Sequence, residues 1–311
     1  MNHDTGVFEE VVEFPDNNAR RRFAALVGLD HMKQRLLKES TLLVDHSQLE
    51  RWCVAQHKSR LPILDTFFDR APLFVFSGDV GTGKTALAET FGDPLARQLD
   101  LPVTLYALSL NARGTGAVGE MTSLISAAFT EVKQAAAKAR AANGRPKGVY
   151  VLLIDEADAL AQSRELAQMH HEDRAGVNAI IRGVDDLANS RLPVVIVMCT
   201  NRLSAIDPAV RRRAADVFTF DRPDSDRRKQ LLDSALSGTG LTTSEIDFVV
   251  AATGDRDKLG YGFTFSDLTQ RLLPSIVLDA FPDHAITFDR IKKIVGNMRP
   301  TPPFKERDSN E

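Results

Sequence analysis

Gly78-Asp79-Val80-Gly81-Thr82-Gly83-Lys84-Thr85 fits the pattern G-x-x-x-x-G-K-[ST] at every specified position. These residue types suit the chemistry of binding a polyphosphate. Gly78, Gly81 and Gly83 let the backbone turn tightly, and with Asp79, Val80 and Thr82 they form a loop whose N–H groups approach phosphate oxygens. A helix starting near Lys84 adds the positive end of its dipole. The Lys84 ammonium addresses the β- and γ-phosphates, and the Thr85 hydroxyl is a ligand for Mg²⁺. The alternative, a plain glycine-rich turn, does not account for the context. Leu73-Phe-Val-Phe-Ser77 is an apolar run that reads as a buried strand, and Ala86-Leu-Ala-Glu-Thr90 continues as helix.

A second constellation follows Val149-Tyr-Val-Leu-Leu-Ile154, an apolar run that ends in Asp155-Glu156-Ala-Asp158. Carboxylates at the C-terminal edge of a parallel strand stand where open α/β sheets bind ligands. Asp155 is placed to hold Mg²⁺ through its water shell, and Glu156 to orient and deprotonate an attacking water. Asp158 reads equally as part of that site or as a structural cap. The next apolar run ends in Cys199-Thr200-Asn201-Arg202. The Asn201 amide there is either an ordinary turn residue or a hydrogen-bonding sensor of the γ-phosphate. Downstream, Arg211-Arg212-Arg213 is either a solvated surface or a source of guanidinium groups for transition-state charge at a neighbouring subunit's site.

The elements that must position these groups are legible as a βα alternation. Strands are expected over 73–77, 103–108, 149–154, 194–199 and 217–220, with helices near 123–142 and 174–187. Near-continuous apolar strands predict an α/β fold, a five-stranded parallel sheet covered by helices on both faces. Helices over 31–43 and 47–59 precede it. From Arg222 the pattern becomes helical, giving a small C-terminal helical lid domain. The expected organisation is a tail or arm at 1–22, a large nucleotide-binding domain at 23–221, a lid at 222–299 and a disordered tail at 300–311.

The 311 residues carry a net charge of −3, which argues against nucleic acid or an anionic membrane as the main partner. Two distant cysteines give neither a disulfide framework nor zinc spacing, and a reducing cytoplasm is the expected compartment. No secretory leader pattern opens the chain and no apolar run would span a bilayer. His170-His171-Glu172 lacks further histidine or cysteine at ligand spacing, so a solvated loop is favoured over a metal site.

Together these residues resemble the AAA subgroup of the AAA+ ATPases. The resemblance extends from about Leu26 to Phe281 and rests on several motifs. They are Val27-Gly28-Leu29-Asp30, the phosphate loop, Asp155-Glu156, the segment 177–181 with Asp185, Thr200-Asn201-Arg202, and Asp207-Pro-Ala-Val210 leading to the arginines. It implies ATP with Mg²⁺ as cofactors. It also implies that Val27 and Gly28 border the adenine, that Asn201 is the first sensor, and that Arg212 and Arg213 are trans-acting fingers with Arg211 a spare. Such proteins work as homo-oligomeric rings, usually hexamers, because each site needs a neighbour's arginines.

A narrower similarity connects Asp173-Arg-Ala-Gly-Val-Asn178 and Arg271-Leu-Leu-Pro274 to the pachytene-checkpoint-type ATPases. These unfold part of HORMA-domain proteins, and a short bacterial branch occurs with nucleotide cyclases in anti-phage signalling operons. A HORMA-domain protein is then the expected partner. The chain departs from that family in three ways. Only a short arm precedes the core, Gly116-Ala117-Val118-Gly119 stands where a pore-loop aromatic is usual, and Arg271 is either a second-sensor residue or a lid salt bridge. The competing readings are a helicase-loader-like protein linked to nucleic acid and an ATP-bound switch that barely hydrolyses.

Overall fold

The computed structural model describes residues 6–109, 120–139, 146–158, 172–255 and 259–304. The Gly116–Gly119 and His170-His171 features lie outside them. The chain divides into two compact units. One comprises Met1–Ala25, His31–Ser77 and Thr85–Thr219, and the other Leu26–Asp30, Gly78–Lys84 and Phe220–Glu311.

The first unit is built on a six-stranded sheet of order β1-β3-β4-β5-β2-β6. Its strands are β1 (Glu10–Phe14), β2 (Leu73–Gly78), β3 (Val103–Ser109), β4 (Val149–Asp155), β5 (Val194–Thr200) and β6 (Asp216–Phe220). The pairs β3–β4, β4–β5 and β5–β2 are parallel, as the apolar runs predict. Every residue of β5 is buried, as a central strand covered on both faces requires. The expectation of five strands is corrected. The sixth comes from the segment read as a tail: β1 pairs antiparallel with β3, Glu10 opposite Ala107 and Phe14 opposite Val103. Phe14 is buried, while Glu10 and Glu13 face solvent. Five residues with acidic neighbours gave too short an alternation to stand out, and pairing with β3 is what makes the segment a strand.

Helix α1 (Asn17–Ala24) follows, capped by Asp16, whose carboxylate accepts from the Ala19 amide at 2.6 Å. It carries Arg20-Arg21-Arg22, and Arg22 pairs with Glu89. Helices α2 (Asp30–Val44), α3 (His46–His57) and α4 (Ile63–Phe68) precede β2. After the phosphate loop come α5 (Lys84–Thr90) and α6 (Gly92–Leu99). Helices α7 (Glu120–Lys138) and α8 (Glu172–Ser190) pack together, with Ile125, Phe129, Val132, Ile180 and Val184 in the same core as Val75, Leu152 and Ile196 of the sheet.

In the second unit, α10 (Ser225–Ala235), α11 (Thr243–Ala252), α12 (Leu273–Ala280) and α13 (Phe288–Asn297) enclose Leu232, Val249, Phe263, Leu272, Ile276 and Ile291. The short α9 (Pro208–Arg211) belongs to the first unit. Asp224 caps α10 through the Arg227 amide at 2.9 Å, the boundary expected at Arg222–Arg227. The segment Asp267–Leu272 winds as π-helix into α12. Its first residue, Asp267, is 1% exposed and takes four donors. They are the Thr264 amide (3.0 Å), the Thr301 amide (2.9 Å), the Thr301 hydroxyl (2.6 Å) and Arg271 (2.7 Å). Pro300–Phe304, read from the sequence as disordered, therefore makes defined bonds to this unit.

Burial would raise the Asp267 carboxyl above its ordinary value, but the donors from Thr301, Thr264 and Arg271 outweigh it and hold the group below. A depressed carboxyl stabilises the fold fully above the ordinary Asp range and loses that contribution as pH falls through the folded value. The second unit should thus keep its thermal midpoint down to about pH 4 and lose it below. Asp267→Asn should cost about 1–3 kcal/mol at neutral pH and flatten that acid limb, as read by thermal melts against pH.

Candidate nucleotide site

β2 ends at Gly78, the first residue of the phosphate loop. There φ is +153°, and a Cβ would stand 2.1 Å from the Phe220 carbonyl oxygen, so only glycine fits. At Gly81 φ is +74°, and a Cβ would meet Ser266 and Thr264 at 2.8 Å, while Gly83 adopts +100°. The Ser266 amide donates to the Gly81 carbonyl at 3.0 Å. Lys84 is 6% exposed and its ammonium donates to the carbonyls of Gly78 (2.9 Å) and Asp79 (2.8 Å). The buried Thr82 hydroxyl donates to the same Asp79 carbonyl at 2.7 Å. Val80 is exposed. The Asp79 side chain turns to Arg222, whose Nε lies 2.8 Å from its Oδ2. Val27 and Gly28 belong to this same unit, with the stem of Arg227 packed on Gly28.

The first unit holds the carboxylates. Asp155 is the last residue of β4, beside Ser109 of β3 in register. Its Oδ1 accepts from the Glu156 amide at 2.8 Å. Glu156 has φ +54°, a left-handed conformation uncommon for a side-chain-bearing residue and frequent at functional turns. The Ala157 amide donates to the Cys199 carbonyl at 2.9 Å, tying the end of β4 to β5. Asp158, 7% exposed, completes that tie. The Asn201 amide donates to its Oδ1 at 3.3 Å, and Thr200 Oγ1 lies 3.4 Å from the same oxygen. Of its two readings, the structural one is what the bonds describe, and it orders the turn bearing Asn201. β1 brings Glu9 and Glu10 into a cleft of about 600 Å³ that they share with Glu89, Asp155 and Glu156.

The arginines differ from one another. Asp207 caps the short helix α9 through the Ala209 amide at 2.6 Å and so sets the direction of the run. Arg213 makes a two-pronged pair with Asp185 of α8, Nε–Oδ1 2.6 Å and Nη2–Oδ2 2.9 Å, and its third nitrogen donates to the Ala209 carbonyl. Asp185 raises the Arg213 guanidinium above its ordinary value. Arg212 is exposed, with no ion pair among the described residues. Arg211 has its Nε buried without a hydrogen-bond partner among them. Arg271 is held by Asp267 and by the Arg299 carbonyl at 3.2 Å.

The donor set fits the ligands the motifs imply. Lys84 is a buried cation with two carbonyl dipoles among its partners, a setting suited to a phosphate's negative charge. Among the described residues no three His, Cys, Asp or Glu side chains converge to cage a metal. Mg²⁺ held by one carboxylate, a hydroxyl, waters and substrate phosphates needs no such cage, and Asp155 and Thr85 carry the hard oxygen donors that would suit it. Sequence reasoning missed Arg222, 143 residues from its partner Asp79, and the Asp267–Thr301 bonds, because no local pattern marks either.

Comparison with known proteins places these features. The model for the ATPase family associated with various cellular activities (AAA) matches residues 74–222. CD-NTase-associated protein 6 of Escherichia coli strain MS 115-1 is 53% identical over 301 residues, which is 97% of each chain. Among solved structures, the E. coli MS115-1 HORMA:CdnC:Trip13 complex contains a chain with TM-score 0.89 and 52% identity, covering 96% of this chain and 97% of that one. The structure of Rhizobiales Trip13 matches with TM-score 0.74 and 46% identity over 95% of this chain and 100% of that one.

Asp158→Ala should release the Asn201 turn. Nucleotide turnover is then expected to fall about tenfold, less than outright loss of a transition-state donor. Nucleotide affinity by fluorescence titration should change by less than about twofold.

Proposed function

Because the chain belongs to the AAA ATPase family, as a relative of the CD-NTase-associated protein 6 chains, we propose that it is a cytoplasmic, ring-forming motor that couples Mg-ATP hydrolysis to partial unfolding of a HORMA-domain protein in anti-phage signalling. ATPase activity is the family's chemistry and both catalytic motifs are intact. The observation that carries the narrower reading is similarity over nearly the whole length to a chain solved in complex with HORMA and CdnC proteins. No helix of the described residues is long and apolar enough to cross a membrane.

In this reading the glycine-shaped loop binds the phosphates and Lys84 exchanges its carbonyl partners for phosphate oxygens. Val27 and Gly28 border the adenine. Thr85 and Asp155 would hold Mg²⁺, which would supply charge neutralisation on the phosphates. Glu156 takes the proton of the attacking water, and Asn201, ordered by Asp158, hydrogen-bonds the γ-phosphate. Arg212 serves the neighbouring subunit's site, and Arg213, anchored on Asp185, steadies the turn, just after the short helix, that carries them both. The Arg271 pair with Asp267 supports its lid salt-bridge reading over direct contact with nucleotide. A hexamer is the expected ring, since each site draws an arginine from a neighbour.

Glu156→Gln separates binding from hydrolysis. It is expected to bind ATP like the parent, to lose about a hundredfold or more in turnover, and to retain a HORMA-domain partner in an ATP-dependent pulldown. Undiminished turnover would reject the role of Glu156. A salt-sensitive DNA complex without HORMA capture would favour the nucleic-acid-linked reading.

A further inference from the structure

The C-terminal strap from Arg299 to Phe304 joins the buried Asp267 to the phosphate loop within the second unit. Thr301 anchors it, giving its amide and hydroxyl to the buried Asp267. Pro302 and Pro303 then restrict the backbone over the next two residues. At the far end the Phe304 amide donates to Asp79 Oδ1 at 3.1 Å. Asp79 is a phosphate-loop residue, and its carboxylate is held from three sides: by Phe304, by its neighbour's Val80 amide at 2.8 Å, and by Arg222. Arg222 is itself fixed, donating to the Gly262 carbonyl at 2.6 Å and lying over the Tyr261 ring at 5.0 Å. On its main-chain side, Asp79 offers the carbonyl that receives both Lys84 and Thr82. The residue that organises the interior of the loop is thus clamped from outside by the strap.

We propose that the Arg299–Phe304 strap is a positioning element of the nucleotide site: its Phe304 amide, with Arg222, holds Asp79 so that the phosphate loop is formed before a nucleotide's phosphates arrive. Ordering a loop in advance removes an entropic cost from binding, so the strap sets affinity rather than the chemical step. The inference rests on the loop being a nucleotide site, as argued above.

Phe304→Pro deletes the donor N–H, whereas Phe304→Ala keeps it. Full-length assemblies of the parent and both variants would be titrated with fluorescent ADP and assayed for steady-state ATP hydrolysis. Phe304→Pro should bind about three- to tenfold more weakly, the range for one partly exposed hydrogen bond, with KM for ATP raised by the same factor and kcat within about twofold. Phe304→Ala, which keeps the amide, should weaken binding clearly less than Phe304→Pro does. Equal affinity in all three proteins would overturn the strap's role. Equal weakening in both variants would assign the effect to the side chain and overturn the amide's role. A parent that binds no nucleotide would overturn the site reading itself, a result distinct from the other two.

Discussion

A buried ammonium ion must be surrounded by oxygens, and the placement of Lys84 governs the loop around it. Its two carbonyl partners, Gly78 and Asp79, are reachable only because the chain turns back on itself within six residues. That turn demands φ values of +153° and +74° at Gly78 and Gly81, where any side chain would collide with Phe220 or with Ser266 and Thr264. Those collisions show how closely the helical unit is moulded onto the loop. Arg222, Ser266 and the strap are its outer wall, and Asp267 fastens that wall to the helices beneath.

The sheet unit solves a different problem, the presentation of carboxylates and amides at the ends of adjacent strands. Parallel register puts Asp155 at the end of β4 and Thr200 at the end of β5, and the bonds from Ala157 and Asp158 lock the two turns together. Glu156 is set by a left-handed backbone and Arg213 by a two-pronged carboxylate pair, so both are ordered at their own positions rather than held by loops alone. The division among the arginines follows from this. In the proposed reading, Arg213, whose donors go to Asp185 and Ala209, is a support rather than the second finger the resemblance implies, and the exposed Arg212 beside it is the one that would act on another chain.

Features whose chemistry is local were legible in the sequence. The phosphate loop, Asp155-Glu156 after an apolar strand, and the Asp224 helix cap each sit within a few residues and carry their own pattern. The buried parallel strands were legible because burial on both faces leaves continuous apolar runs. Elements defined by distant partners were not. β1 is a strand only through its pairing with β3, and α4 and α6 are short helices that carry no long apolar period. Asp79 read as one more phosphate-loop residue, and its ion pair with Arg222 arises only when the chain folds. The narrow family resemblance rested on few residues, and similarity along nearly the whole chain now supports it.

The central claim is that one active site draws Glu156 from one chain and Arg212 from its neighbour. Mixing two inactive proteins tests it most directly. Arg212→Ala and Glu156→Gln chains should each hydrolyse ATP poorly alone. In an equimolar, randomly assembled mixture, about one site in four pairs an intact Glu156 with an intact neighbouring arginine, so about a quarter of parental turnover should return. A mixture no more active than its two components would contradict the shared site.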